Sequence, residues 1–365
     1  MSIPSQPYVL TFGETMALMR ADQPGPLSHA SSLGLGIGGS ESNMAIGLQR
    51  LGVQAVWCSR VGDDALGQLV IREIRAEGVE VRAAVDPSAP TGLMIKERRT
   101  PAIQRVSYYR RDSAGSRISP ADVDEALIAG AALLHVSGIT PALSTQAEAT
   151  LRYAVATARA AGVPVSFDLN YRANLWSSED AGRSYRDIIP VADIVFAGVD
   201  EAAIAVGGLA FDGGTGFDGD TGFDGGTGFH GGTGFHGGTG FHEGTGFDGD
   251  KGLDGGLAEG LARRIAAMGP TQVVIKLGGE GAVAMIDGEL YRQAAVAVDV
   301  VDTVGAGDAF VAGYLAELVS GLDTRRRLET AVRTGAFACL VPGDWEGFPR
   351  RSELSLLDSR EPVLR

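Results

Sequence analysis

The alternation of short apolar runs with helical patterns constrains this chain more than any other feature. Runs rich in β-branched and aromatic residues recur at Tyr8–Phe12, Ala55–Val61, Ala132–Gly138, Pro164–Leu169, Asp193–Gly198 and Gln272–Gly278. Helical patterns lie between them, at Ser42–Leu51, Ala65–Ala76, Gln146–Ala161, Gly260–Met268 and Ala306–Ser320. Alternation of this kind is typical of a parallel sheet covered by helices on both faces. The sequence therefore predicts an α/β fold with a doubly wound, mostly parallel sheet.

Two stretches interrupt this alternation. Polar residues alternate along Thr91–Arg111, which predicts a β-hairpin that acts as a flap. From Phe211 to Gly252 the sequence repeats every six residues, with one aromatic residue and two or three glycines in each unit. So little apolar surface does not offset the entropy of ordering the backbone. We predict a disordered surface insertion at 211–252, with a glycine-rich β-solenoid as the alternative.

The composition excludes several classes of function. The net charge of −14 over 365 residues disfavours nucleic acid and anionic membrane surfaces as partners. Two distant cysteines, Cys58 and Cys339, indicate neither a disulfide framework nor a zinc site. The sequence shows neither a signal-peptide pattern nor about 18 consecutive apolar residues. We therefore expect a single cytoplasmic domain over residues 1–365.

Polar residues follow several of the predicted strands directly. Ser137–Gly138, Asp168 with Asn170, Glu201, and Gly278–Gly279 all lie just after an apolar run. Ligands of open parallel sheets bind at the carboxyl ends of the strands. These positions therefore predict one cleft along that edge of the sheet.

The stretch VDTVGAGDAF, residues 301–310, places an aspartate directly after a glycine-rich helix start. It lacks both the three-glycine dinucleotide fingerprint and the Lys-Ser/Thr pair of a P-loop. The backbone amides of Gly305, Ala306 and Gly307 can stabilise a phosphoryl group in transfer. Asp308 can then take the proton of an attacking hydroxyl. The alternative is that Asp308 only caps its own helix.

Three motifs together resemble the ribokinase-like, or PfkB, carbohydrate kinases. They are GGSESNMAIGLQRLG (38–52), SRVGDDALG (59–67) and DTVGAGDAF (302–310), in the family's order. The resemblance covers the chain apart from the repeat. It implies a three-layer α/β/α domain with a small β lid, here built from about 14–37 and 90–112. It also implies Mg·ATP as donor, Asp308 as base and lids that pair in a dimer or an assembly of dimers, and it leaves a requirement for a monovalent cation open.

Within that family, the chain is most similar to 2-keto-3-deoxygluconate kinases. The similarity is carried by YYRRDSAGS (108–116), LHVSGITPALS (134–144), SFDLNYRANLW (166–176) and GDWEGFP (343–349). An acidic sugar also agrees with elementary chemistry, because the planar fork of arginine binds both oxygens of a carboxylate. Arg110 and Arg172 are the candidates, with solvated surface arginines as the alternative for each.

The resemblance assigns further roles position by position. It implies sugar contacts for Gly39, Asn43, Tyr108, Arg110 and Ile139, and a carboxylate or phosphate contact for Arg172. For Asn43 a first-turn helix residue that bonds the backbone is the alternative. The nucleotide side would include Asn170, Lys276, Gly278, Gly281 and Thr303. Glu201 would order Mg²⁺ indirectly, and Asp168 would lie near the phosphates and the metal's water.

Two positions depart from the family pattern. Met94 stands where these kinases carry a tyrosine, so a flexible apolar side chain replaces a hydroxyl. Gly198 stands in place of the usual asparagine three residues before Glu201. The leading hypothesis is a kinase of 2-keto-3-deoxygluconate or a related sugar acid. The alternatives are a kinase of a neutral sugar such as fructose or ribose, and a non-catalytic scaffold that uses the Phe-Gly repeat.

Overall fold

The structure, a computed structural model, describes residues 4, 6–100, 103–208 and 253–358. The predicted repeat insertion at 211–252 lies outside these residues. The strands of the described residues are β1 (Tyr8–Phe12), β2 (Met16–Ala21), β3 (Leu33–Gly38), β4 (Gln54–Gly62), β5 (Glu80–Asp86), β6 (Leu93–Arg98), β7 (Gln104–Tyr109), β8 (Leu133–Ser137), β9 (Val165–Asp168), β10 (Ile194–Gly198), β11 (Gln272–Lys276), β12 (Ala282–Ile286) and β13 (Glu289–Gln293).

The helices of the described residues alternate with these strands. They are α1 (Ser40–Arg50), α2 (Ala65–Ala76), α3 (Glu125–Ala129), α4 (Ile139–Leu143), α5 (Thr145–Ala160), α6 (Ser178–Ile188), α7 (Val199–Ala205), α8 (Leu253–Ala266), α9 (Ala306–Val319) and α10 (Thr324–Ala338).

Nine strands form the main sheet, in the order β13-β12-β11-β10-β9-β8-β1-β4-β5. The pairs from β5 across to β11 are parallel, and β12 and β13 add an antiparallel edge. The predicted mostly parallel α/β fold is confirmed. All parallel strands end at one edge of the sheet, so the polar residues that follow them come together there.

Side chains of the strands alternate between two hydrophobic cores. In β1, for example, Tyr8, Leu10 and Phe12 join the core under α3, α5, α6, α7 and α8, whereas Val9 joins the core under α1, α2, α9 and α10. A parallel sheet is buried on both faces because helices cover it on both sides. The result is the predicted three-layer α/β/α arrangement.

A second, four-stranded sheet lies beside the first, in the order β3-β2-β6-β7. The predicted hairpin is present, because β6 and β7 pair antiparallel with Met94 opposite Tyr108. Met16, Leu18 and Met94 form a small core of their own on this sheet. We call this second sheet the lid.

Individual elements differ from the sequence expectations, as α8 and the β12–β13 hairpin show. Helix α8 begins at Leu253, seven residues before the predicted start at Gly260, since three glycines in its first turns obscure the helical pattern. The β12–β13 hairpin was not predicted. Its turn is Asp287-Gly288, both with positive φ, and Asp-Gly is a strong signal for a two-residue hairpin.

Candidate active site

Asp308 lies in the first turn of α9, at the carboxyl edge of the main sheet. Gly305 is the N-cap of this helix and has a left-handed backbone, with φ of 76°. A Cβ at this position would overlap the backbone carbonyl oxygen of Asp344. Glycine is therefore required for both the turn and the close approach.

The start of α9 presents backbone N–H groups without intrahelical acceptors, as every helix start does. In this loop the N–H of Ala306 donates to the carbonyl of Thr303 at 3.2 Å. That amide is therefore engaged within the turn, and Thr303 helps to shape the loop. An anion hole formed by Gly305, Ala306 and Gly307 stays a prediction.

Two side chains of α1 donate hydrogen bonds to the carboxylate of Asp308. The Ser40 hydroxyl donates to Oδ1 at 2.7 Å, and the Asn43 amide donates to Oδ2 at 2.8 Å. The structure thus differs from the alternative in which Asp308 caps its own helix, because its oxygens face α1. Asn43 likewise uses its side chain on Asp308 rather than on the backbone.

Opposing influences set the protonation of Asp308. Burial raises the pKa of Asp308 to about 6, while the hydrogen bonds from Asn43 and Ser40 and the positive charge of Arg172 lower it. A pKa near neutrality suits a general base, which must be charged at the working pH and still bind a proton in the transition state.

The last residues of β9 and β11, together with Asn170 after β9, form the adjoining side of the site. The ammonium of Lys276 contacts both carboxylate oxygens of Asp168, at 2.8 and 3.0 Å. Burial disfavours the charge of Lys276, but nearby carboxylates, Asp168 first, raise its pKa above the ordinary value. Asn170 has a positive φ of 40° and donates from Nδ2 to the Ser40 hydroxyl at 2.7 Å.

Glu201 closes the turn between β10 and α7. Its carboxylate accepts hydrogen bonds from the backbone N–H groups of Gly198, at 2.6 Å, and Tyr171, at 3.0 Å. The glycine that replaces the family's asparagine thus still bonds to Glu201, through its backbone.

The carboxylates of the site determine how it could hold the predicted Mg²⁺. Among the described residues, no group of three His, Cys, Asp or Glu side chains could hold a metal ion. Asp168 is paired with Lys276, and both oxygens of Glu201 accept N–H groups. Mg²⁺ commonly keeps several waters and takes its remaining ligands from substrate phosphates. These two carboxylates therefore fit water-mediated contacts rather than a protein cage.

The turn predicted on the nucleotide side has glycine at two positions with a left-handed backbone. Gly278 begins the turn after β11 with φ of 56°, and Gly281 ends it with φ of 106°. A Cβ on Gly281 would overlap the backbone oxygen of Gln293. The turn therefore brings bare backbone to the sheet edge beside Lys276.

The lid places Arg110 in a pair that the sequence did not indicate. The Arg110 guanidinium donates from Nε to the carboxylate of Glu14 at 2.7 Å and lies 5.9 Å from the ring centre of Tyr108. Glu14 is buried and also accepts a hydrogen bond from the Ser113 hydroxyl. Arg110 thus has a protein carboxylate as partner before any substrate binds.

Lys96 and Asp344 form a second buried pair between the lid and the main domain. The Lys96 ammonium lies 2.6 Å from Asp344 Oδ1, and both side chains are buried. A Cβ on Gly38 would overlap both Asp344 and Met94. Met94 therefore packs beside this pair, in the place of the expected tyrosine.

Two further predicted sugar contacts, Gly39 and Ile139, lie at the amino ends of helices. Gly39 is the N-cap of α1 and packs on the backbone of Glu14, and Ile139 begins α4 directly after β8. The structure brings the residues after β8, β9 and β11 together with the starts of α1 and α9.

Sequence reasoning missed five polar residues of this region. Four had a usable signal: Glu14 lies two residues after the end of β1, Ser40 and Glu41 fall inside the quoted GGSESN motif, and Asp344 falls inside GDWEGFP. For Lys96, inside a predicted hairpin of alternating polarity, no signal distinguished a buried cation from a solvated one.

Glu41 is the most unusual of these residues. Its carboxylate is buried against Gly13 and accepts a hydrogen bond from the Thr140 hydroxyl at 2.9 Å. Its Oε2 is buried without a hydrogen-bond partner. Burial raises the pKa of Glu41 to about 7, with a further upward contribution from Asp308.

Comparison with known proteins defines the class. The model of the pfkB family of carbohydrate kinases matches residues 6–211 and 251–351, on both sides of the glycine-rich repeat. The chain therefore belongs to the PfkB family of carbohydrate kinases. No helix of the described residues is long and apolar enough to cross a membrane.

Individual relatives indicate the kinds of carbohydrate kinase to which the chain is similar. The chain is 31% identical over 359 residues to a 2-dehydro-3-deoxygluconokinase of Bacillus subtilis, covering 97% of this chain and 96% of the relative. It is 31% identical to a 2-dehydro-3-deoxygalactonokinase of Haloferax volcanii, covering 92% of each. The crystal structure of a PfkB protein from Polaromonas sp. JS666 superposes with a TM-score of 0.75 at 31% identity, covering 96% of this chain and 99% of that one. The protein is a carbohydrate kinase similar to 2-dehydro-3-deoxygluconokinases.

Proposed function

We propose that this protein transfers the γ-phosphoryl group of ATP to the terminal hydroxyl of 2-keto-3-deoxygluconate or a closely related sugar acid. The observation that carries the proposal is the carboxylate of Asp308, held by Ser40 and Asn43 at the glycine-rich start of α9. Base and backbone amides lie side by side, as phosphoryl transfer to an alcohol requires.

In this reaction the sugar hydroxyl gives its proton to Asp308 while its oxygen attacks the γ-phosphorus. The bond between that phosphorus and the β–γ bridging oxygen breaks, and ADP leaves. The amides of Gly305 and Gly307 would stabilise the negative oxygens of the group in transfer, and that of Ala306 would join them on leaving the carbonyl of Thr303. Bound Mg²⁺ would neutralise phosphate charge, with Asp168 and Glu201 contacting its waters.

Asn43 would hold the sugar as well as the base. Its Nδ2 is used on Asp308, whereas its Oδ1 is buried without a hydrogen-bond partner. A buried acceptor without a donor is costly, and a sugar hydroxyl would supply the donor. Gly39, Ile139 and Tyr108 would complete the sugar site.

Two arginines support an acidic sugar as the substrate. Arg172 contributes positive charge at Asp308, and Arg110 lies on the lid. The 2-keto-3-deoxy sugar acids carry a carboxylate that such groups bind well. The relatives include both a gluco and a galacto enzyme, so we propose the keto-deoxy acid class and no single epimer.

A neutral-sugar kinase is the second candidate, and two observations favour it. Glu14 already neutralises Arg110, and Met94 removes the hydroxyl expected beside the sugar. The scaffold hypothesis has less support, because Asp308 and the glycine turn keep a geometry suited to chemistry.

A coupled ADP-release assay with Mg·ATP tests the substrate class. The panel contains 2-keto-3-deoxygluconate, its galacto epimer, fructose, ribose and adenosine. We expect the two keto-deoxy acids to be turned over with a kcat/KM at least about tenfold above that of any neutral sugar, the value of about one charge-assisted contact. Turnover of a neutral sugar alone would replace the proposal with the second candidate.

We also propose that the protein works as a dimer, or an assembly of dimers, paired through its lids. The lid exposes Leu35 and Tyr109, each 62% accessible, on its two edge strands. Sedimentation at working concentration tests this, and a monomer would contradict it. A cytoplasmic location and a small-molecule partner, rather than nucleic acid or membrane, stay predictions.

A further inference from the structure

Ser40 lies between the catalytic base and the residues that follow β9. It is the first residue of α1 and is 9% exposed. Its hydroxyl accepts a hydrogen bond from Asn170 Nδ2 at 2.7 Å and donates one to Asp308 Oδ1 at 2.7 Å. These hydrogen bonds connect the segment after β9 with the starts of α1 and α9.

The direction of these hydrogen bonds follows from hydrogen-bond chemistry. A serine hydroxyl has one hydrogen and two lone pairs, and an amide nitrogen only donates. Asn170 therefore occupies a lone pair of the Ser40 oxygen, and the single hydrogen is left for Asp308. When Asp308 is deprotonated, this hydrogen makes a charge-assisted bond to its carboxylate, which is stronger than a hydrogen bond between neutral groups.

The geometry points to Ser40 as a positioning residue for the base. We propose that Ser40, oriented by Asn170, fixes the carboxylate of Asp308 toward the sugar hydroxyl and favours its deprotonated form. This inference rests on the proposed kinase reaction. Ser40 acts through Asp308 and need not touch the substrate.

Other charged groups also face Asp308. Arg172 and Lys276 bring positive charge from the residues after β9 and from β11, and Asp168 and Glu41 bring negative charge from β9 and α1. A substitution at Ser40 leaves all four in place. A change in the pH dependence of the Ser40 variant can therefore be assigned to the lost hydrogen bond.

The test compares the pH dependence of kcat/KM for the parent, Ser40→Ala and Ser40→Cys between pH 5 and 9. Cysteine keeps a side chain of similar size but is a weak donor. We expect the acid limb to move up by about one pH unit in both variants, since a hydrogen bond to the charged form lowers a pKa. Activity then falls about five- to tenfold at or below pH 6 and recovers to within about threefold above pH 8.

Ser42→Ala is the matched control. Ser42 lies on the same helix and is buried, but its hydroxyl donates to the Gly39 carbonyl at 3.0 Å and accepts from Thr15 at 2.7 Å. Its acid limb should coincide with that of the parent. The same Mg·ATP is present throughout, so titration of the nucleotide cancels between proteins.

A second measurement separates this inference from the proposed function. The ¹³C resonance of the Asp308 carboxyl, assigned by its absence in Asp308→Asn, is titrated without substrate. An upward shift of its midpoint in Ser40→Ala supports the inference even if no sugar on the panel is turned over. An unchanged midpoint, or a loss of kcat/KM equal at every pH, would overturn it.

Discussion

Buried carboxylates are treated in opposite ways in two regions of this molecule. At the start of α9, Asp308 is held by a hydroxyl and an amide, both neutral. Between the lid and the main domain, Glu14 and Asp344 are each paired with a cation, Arg110 and Lys96. Neutral donors orient a carboxylate and leave its charge available, whereas a cation neutralises it.

In the proposed reaction, this difference distinguishes the base from the ion pairs that join the lid to the main domain. The proposed base needs a negative charge that no paired cation cancels and a pKa near the working pH. Asp308 is bonded by neutral groups, and burial raises its pKa to about 6. The two pairs instead join β6 and the residue after β7 to the loops that follow α10 and β1. We infer that charge is retained where a proton must be accepted and cancelled where two parts of the fold must meet.

Breaking the Lys96–Asp344 pair is expected to have the largest effect on stability. Lys96→Met leaves Asp344 charged, buried and unpaired, which should lower the free energy of unfolding by about 3–5 kcal/mol at pH 8. Chemical denaturation measures this loss. The double variant Lys96→Met/Asp344→Leu should recover most of it.

The control for Lys96→Met is a second ion pair of the lid, one that is partly exposed to solvent. Arg20 on β2 lies 3.5 Å from Glu346, with both side chains about a third exposed. Arg20→Met should cost less than about 1 kcal/mol. Equal losses for Lys96→Met and Arg20→Met would show that burial of the pair does not matter.

Glu41 adds a third case to this comparison. Among the described residues its buried carboxylate is paired with no cation, and its Oε2 accepts no hydrogen bond. Its folded-state pKa of about 7 lies above its ordinary value of 4.5. The unfolded chain releases its proton first, so this group lowers stability as pH rises from about 4.5 to about 7. Glutamine carries no such penalty.

For Glu41→Gln, the free energy of unfolding relative to the parent should be up to about 3 kcal/mol higher at pH 8 than at pH 4. Urea denaturation at the two pH values measures the difference, with the low-pH value as internal control. If Glu41→Gln changed the free energy of unfolding by the same amount at both pH values, the assignment of a raised pKa to Glu41 would be contradicted.

Arg110 tests whether a lid cation also serves the substrate. Arg110→Ala should reduce kcat/KM for a keto-deoxy acid by about 10- to 100-fold, the value of a charge-assisted hydrogen bond, and change that for a neutral sugar little. Arg111→Ala, next to it and exposed, is the matched control. Equal losses on both sugar classes would confine Arg110 to its pair with Glu14.

The smallest expected effect is the pH response of the parent enzyme. Asp308 must be deprotonated to accept a proton, and its pKa is raised to about 6. Activity should therefore fall as pH drops through about 6, by about tenfold for each further unit. A profile of kcat/KM that stays flat from pH 5 to pH 8 would argue against Asp308 as the base.

Much of the fold could be predicted from the sequence, because strands such as β1 carry a local signal. The start of helix α8 was predicted seven residues too late, since its early glycines weaken the periodicity on which the prediction relied. The Asp287-Gly288 hairpin was missed although its turn signal is local. The lid hairpin was found because alternating polarity identifies a half-exposed sheet.

Some residues of the candidate site could be singled out from the sequence, but their hydrogen bonds to one another could not. The glycine turn and Asp308 stand out locally, whereas the bond from Ser40 to Asp308 joins residues 268 positions apart. Arg110 shows the same limit. Its chemistry suits a sugar carboxylate, but only the structure places Glu14 against it, 96 positions away.

The most direct test of the central claim is the Asp308→Asn variant in the ADP-release assay with a keto-deoxy acid. Asparagine keeps the shape and removes the base. We predict a kcat lower by about 10²- to 10⁴-fold, with affinity for ATP within about threefold of the parent. Asp200→Asn, at an exposed position, should match the parent. An Asp308→Asn enzyme that keeps most of its activity would contradict the account.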